Sequence, residues 1–163
     1  MAPEDALFSI AEISIGLAGF SGLVAAFVQH PGQTWRRDQK TRIVFLILLS
    51  FGMIVAALSP YALSGISHSP AVVWGVPMFG FGALCISLLV RWVILSRQHD
   101  FRLLFPHISI PILFVATSLQ VLALVSGLGW LFPYSPTIFV FALLSVLVFG
   151  ANMFLALLHS IWE

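Results

Sequence analysis

Residues 43–66 read IVFLILLSFGMIVAALSPYALSGI and contain no charged side chain. A helix of about 20 apolar residues crosses the hydrocarbon core of a bilayer, so this stretch predicts a transmembrane segment. Its first seven residues, IVFLILL, do not alternate between apolar and polar, whereas the strands of a transmembrane β-barrel do. Backbone groups in lipid must be satisfied within the segment, and we therefore expect a helix.

Four further windows share this character, and together the five run at about 6–28, 43–66, 71–95, 108–131 and 137–161. The composition agrees, because only 8% of the 163 residues are charged, against about 25% in soluble domains. The first window follows an acidic N-terminus, whereas a signal peptide begins with positive charge, so we interpret it as a retained helix. The sequence predicts an all-α integral membrane protein, one domain (1–163) built as a bundle of five transmembrane helices.

The connections between the windows alternate in charge. Those at about 29–42 and 96–107 carry Lys and Arg, whereas those at about 67–70 and 132–136 carry none. Positive residues favour the cytoplasmic side of a membrane. This pattern predicts an N-terminus outside and a C-terminus in the cytoplasm. The short connections and the single cysteine fit a bacterial inner (plasma) membrane.

Few classes of chemistry find support in the sequence. It has no phosphate-binding glycine loop and no catalytic serine, cysteine or metal-hydrolase signature, so we expect a protein that is not an enzyme. None of the five histidines lies at mid-span, and neither HxxxH nor CxxC spacing occurs, so we expect no metal site and no cofactor. No basic run is long enough to track a phosphate backbone, which argues against a nucleic-acid partner.

Glu12 is the acidic residue that lies well inside a predicted span, about two turns from its outer end. Charge at that depth is costly, so such residues face protein or water and often mark an ion path. Alternating steps of four and three place it on one face of the first helix, which we call the Glu12 stripe: Asp5, Ser9, Glu12, Gly16, Gly19 and Leu23.

A second face of the same helix is also small, and we call it the serine stripe: Ser14, Ala18, Ser21 and Ala25. Small residues let helices approach closely in membranes. Two interpretations follow. The first helix is either the buried centre of the bundle, or it lines the central axis of an oligomer, where Glu12 forms a ring that favours cations and Leu23 an apolar constriction.

Polar residues in the last two helices are candidates for hydrogen bonds between helices: Thr117, Gln120, Ser145 and Asn152. They suit packing better than substrate binding.

Three functions remain open. The favoured one is an oligomeric, cation-favouring channel with the first helix at its axis and Glu12 near the outer entrance. The alternatives are a structural or accessory subunit of a larger membrane complex, and a membrane protein that binds haem, quinone or a pigment. The partners expected are the lipid bilayer and further copies of the chain.

Overall fold

The computed structural model describes residues 3–27, 37–97 and 109–162, and these ranges form five α-helices. The helices are α1 (Pro3–Phe27), α2 (Arg37–Ser64), α3 (Val76–Arg97), α4 (Ser109–Gly127) and α5 (Pro136–Trp162), with a π-helical turn, Ala71–Gly75, leading into α3. No strand occurs in the described ranges. The expected all-α fold is confirmed for this part of the chain, and each helix matches one predicted window.

Four stretches are long and apolar enough to cross a membrane: Asp5–Ala26, Gln39–Ser64, Ala71–Ile94 and Pro136–His159. They indicate an integral membrane protein. The apolar stretch of α4 is shorter, Pro111–Gly127. Its 17 residues extend about 25 Å at 1.5 Å per residue, against a hydrocarbon core of about 30 Å.

The fourth predicted window, 108–131, is too long, because the chain leaves the helix after Gly127. Gly129, Phe132 and Tyr134 all have positive φ, at 79°, 47° and 57°. This conformation is uncommon for aromatic residues, so the sequence carries little signal for it. Ser126 holds the turn, since its Oγ donates to the Phe132 carbonyl at 2.6 Å and its carbonyl accepts from the Tyr134 N–H at 3.2 Å.

The second helix begins at Arg37, six residues before the predicted window at 43. The sequence placed Arg42 in the connection ahead of this helix, but Arg42 lies within α2 and is only 5% exposed. Its Nη1 donates to the Ala156 carbonyl of α5 at 3.3 Å. Arg42 therefore belongs to the contact between α2 and α5.

The helices α2, α3, α4 and α5 form a closed ring in which each packs against the next and α5 packs against α2. The first helix packs mainly against α2 and α5, on the outside of this ring. Fully buried apolar side chains fill the interior, among them Leu46, Met53, Met78, Phe139 and Leu143. One side of α1 is thus in contact with the bundle, and its other side faces away from it.

Two glycines allow α3 and α4 to meet at one end of the ring. A Cβ on Gly127 would lie 3.0 Å from the Gly75 carbonyl oxygen and 3.0 Å from the Phe79 nitrogen. Both are backbone atoms, which cannot move aside as the end of a side chain can. The close approach therefore requires glycine here.

Candidate functional site

The Glu12 stripe and the serine stripe lie on opposite sides of α1. Glu12 and Ser21 are nine residues apart, which at 3.6 residues per turn places them about 180° from each other. Because both stripes consist largely of small or polar residues, sequence alone does not tell which one packs into the bundle. The contacts of α1 decide the matter.

The serine stripe packs inside the protein. Ser14 and Ser21 are fully buried, and their hydroxyls donate to the carbonyls of Ile10 and Leu17 on the same helix, each at 2.7 Å. These bonds satisfy the hydroxyls locally, so the helix can press against its neighbours without stranding a polar atom. Gly150 of α5 supports the approach, since a Cβ there would lie 3.2 Å from Leu17.

Most of the Glu12 stripe is exposed in the described structure. Asp5, Glu12, Gly19 and Leu23 are exposed, and Ser9 and Gly16 are half-buried. Leu23 has 53% of its surface accessible. The six residues that the sequence grouped on one face therefore share that face, and it is the uncovered one.

No contact within the described chain explains why glycines occupy this side of α1. A Cβ added to Gly16, Gly19 or Gly22 would meet nothing within 4 Å. Each glycine in a helix interior lowers helix stability by about 1 kcal/mol relative to alanine. Gly22 borders the stripe, but the sequence analysis did not select it, because alternating steps of four and three residues lead from Gly19 to Leu23.

Glu12 is an exposed carboxylic acid within the span Asp5–Ala26. Facing lipid at the centre of a span, an acidic side chain costs about 2.5–3.5 kcal/mol on insertion scales. Facing water, a polar neighbour or a cation, it is stabilised instead. The arrangement can attract cations.

One interpretation of the sequence is wrong: α1 is not the buried centre of the bundle. It lies outside the ring formed by α2–α5 and is covered on the serine side only. The physical reason is that the two small stripes are opposed, so a single neighbouring surface covers one and leaves the other bare.

The polar residues of α4 and α5 differ in what they bind. Gln120 is 3% exposed, and its Nε2 donates to the Ala142 carbonyl of α5 at 2.8 Å, which joins the two helices. The hydroxyls of Thr117 and Ser145 donate to the carbonyls of Leu113 and Ala142, each on its own helix, at 2.7 Å. Neither of these two bonds connects helices. Asn152 is half-buried on α5.

A cavity of about 50 Å³ lies between α2, α3, α4 and α5, next to Gln120. Three aromatic rings line it, with centroid distances of 5.2 Å from Phe45 to Trp92 and 5.9 Å from Trp92 to Phe149. A cavity that binds benzene measures about 150 Å³. This cavity is too small for a quinone or haem ring in its present shape.

Metal ligands are dispersed in the part of the chain that the structure describes, where no three His, Cys, Asp or Glu side chains come together. His68 and His159 are exposed, and His30, His99 and His107 lie outside the described residues.

Comparisons with protein families, with curated proteins and with solved structures found no match to this chain.

Proposed function

We propose that the protein is a homo-oligomeric, cation-favouring channel of the bacterial inner membrane, with α1 of each copy lining a central axis. The N-terminus lies outside and the C-terminus lies in the cytoplasm, which sets Glu12 near the outer entrance. The observation that carries this proposal is the uncovered Glu12 stripe on the side of α1 opposite its packed face.

Self-association would give each unusual feature of this stripe a purpose. The glycines, which nothing in the described chain touches, let copies of α1 come close around an axis. A ring of Glu12 carboxylates would face water and ions in place of lipid, and acidic rings favour cations. One to two turns beyond the glycines, Leu23 supplies an apolar ring that gates by dewetting.

The test is conductance of the purified protein in planar bilayers, compared between wild type and Glu12→Gln. We expect the variant to lose most of its preference for K⁺ over Cl⁻, because the ring charge is removed while the side-chain shape is kept. The conservative variant Glu12→Asp keeps the charge and should keep the preference. Unchanged conductance and selectivity in Glu12→Gln would refute a pore role for Glu12.

A second candidate is a structural or accessory subunit of a larger membrane complex. The same uncovered small-residue side of α1 favours it, because a helix of a different protein fits such a surface equally well. Co-purification of a different membrane protein in fixed ratio, with loss of that protein in Gly19→Leu, would select this candidate over the channel.

A further inference from the structure

A groove between α2 and α3 opens on the outer surface of the bundle. Its first part, a cavity of about 230 Å³, is lined by Lys40, Val44, Leu48 and Leu88, among others, and by Arg91. Its second part, about 470 Å³, continues from Leu48 along both helices. Leu48 lines both cavities, so they adjoin each other along the contact between α2 and α3, and we call them together the α2–α3 groove.

Two cations lie at one end of this groove, where α2 begins and α3 ends. Lys40 is three residues after the start of α2, and Arg91 is six residues before the end of α3. At 1.5 Å per residue, Arg91 lies about 9 Å inside the end of its helix. Both side chains are exposed.

None of the described residues that line the groove is acidic. Asp5 and Glu12 both belong to α1, and neither lines the groove. Two cations at the edge of a membrane attract anions, and lipid phosphates are anions present at that surface.

The rest of the groove is apolar. Its lining includes Phe51, Val55 and Phe81, and Gly80 forms an open part of its floor, since a Cβ there would meet nothing within 4 Å. The volume of about 470 Å³ is roughly three times that of a cavity that accommodates benzene, about 150 Å³. An elongated apolar groove of this size suits a hydrocarbon chain.

We propose that the α2–α3 groove binds a phospholipid with an anionic headgroup. Lys40 and Arg91 contact its phosphate, and an acyl chain lies along the groove past Leu48 toward Gly80. This site is on α2 and α3, so it stands or falls independently of the channel proposed for α1. Charge complementarity favours an anionic lipid over a zwitterionic one, and the apolar groove favours a lipid over a free phosphate ion.

The test is native mass spectrometry of the full-length protein titrated with phosphatidylglycerol or phosphatidylcholine of identical acyl chains. We expect wild type to bind phosphatidylglycerol at least tenfold more tightly. Each cation near an anionic surface contributes about 1 kcal/mol, or about fivefold. The double variant Lys40→Gln/Arg91→Gln should therefore lose roughly 25-fold in affinity for phosphatidylglycerol and distinctly less for phosphatidylcholine, whose choline already neutralises the phosphate.

Two further variants separate headgroup from chain. Arg97→Gln removes the same charge from the same helix, six residues along and about 240° around from Arg91, and should change the preference less than twofold. Gly80→Leu fills the apolar part of the groove and should weaken both lipids by a similar factor. Lys40, Gly80 and Arg91 are all exposed, so these substitutions should leave the fold intact, which circular dichroism checks.

Four results would overturn the proposal. Wild type could bind both lipids equally, or Arg97→Gln could lose as much preference as the double variant. Inorganic phosphate alone could bind to wild type and release the lipid, which would make this a phosphate site. Finally, wild type could retain no lipid while Gly80→Leu dissociates an oligomer, which would mean that a second copy covers the groove.

Discussion

The two small-residue stripes of α1 are alike in composition and different in surroundings. The serine stripe is buried against the bundle, with its hydroxyls bonded within the helix. In the Glu12 stripe Glu12, Gly19 and Leu23 are exposed, and a Cβ added to Gly16 or Gly19 would meet nothing within 4 Å. The difference teaches that a small residue has two uses in a membrane helix. One brings the helix close to its own bundle, and the other leaves room for something beyond it.

The largest effect is expected from filling the Glu12 stripe. Gly16→Leu/Gly19→Leu places two bulky side chains where close helix contact is proposed, and overpacking costs about 1–3 kcal/mol at each site. We expect the dissociation constant of the oligomer to rise by at least about 30-fold, which corresponds to about 2 kcal/mol. Analytical ultracentrifugation in mild detergent measures this loss.

The matched control for that variant is Phe20→Leu, which changes an exposed side chain beside the stripe. It should leave the oligomer intact. An oligomer that tolerates both leucines would show that copies do not meet through this side of α1.

The second effect concerns the stability of the single chain, and it contrasts two adjacent residues. Ser21 is fully buried, whereas a Cβ on Gly22 would meet nothing within 4 Å. Ser21→Leu should lower the free energy of unfolding of the protomer by about 1–3 kcal/mol, because a larger side chain does not fit. Gly22→Leu should not lower it. Thermal unfolding in detergent measures the stability of both variants. Equal losses of stability would mean that the two sides of α1 are equally packed.

The third effect applies the same contrast to polar residues of α4. Gln120 bonds to α5, whereas the Thr117 hydroxyl bonds to its own helix. Gln120→Leu should destabilise the protein by about 0.6–1.7 kcal/mol, the range measured for hydrogen bonds between membrane helices. Thr117→Val should change stability by less than about 0.5 kcal/mol. A reversed order in the thermal unfolding of the two variants would contradict this assignment.

The smallest effect distinguishes glycines by what surrounds them. Gly16→Ala should raise the stability of the isolated protomer by up to about 1 kcal/mol, since alanine is the better helix former and the site is open. Gly127→Ala should lower it, because its Cβ would meet backbone atoms at 3.0 Å. Thermal unfolding of both variants measures the two changes, which should have opposite signs. Two changes of the same sign would contradict the distinction between open and closely packed glycines.

Much of the fold follows from the sequence, because length and hydrophobicity alone define membrane helices. Each of the five windows overlaps one helix. Their ends were harder to predict. The start of α2 was missed because its first residues are charged and do not resemble a transmembrane segment. The early end of α4 was missed because it depends on the positive φ of Phe132 and Tyr134, which neither residue type favours.

The candidate site was predictable only in part. Helical periodicity grouped Glu12 with Gly16 and Gly19 on one face. Helical periodicity does not predict which of the two small faces packs inward, because both faces show the same spacing of small residues. The sequence also did not predict that Lys40 and Arg91 line one groove. They are far apart in the chain, and the packing of α2 against α3 brings them to the same cavity.

The most direct measurement is disulfide cross-linking at Gly19 in membranes. With the single native cysteine removed as Cys85→Ala, Gly19→Cys is compared with Phe20→Cys, one residue and about 100° further round the helix. If α1 lines the axis of an oligomer, oxidation should cross-link Gly19→Cys into dimers rapidly and leave Phe20→Cys largely monomeric. If Gly19→Cys stays monomeric, or if both variants cross-link equally, copies of α1 do not meet through the Glu12 stripe.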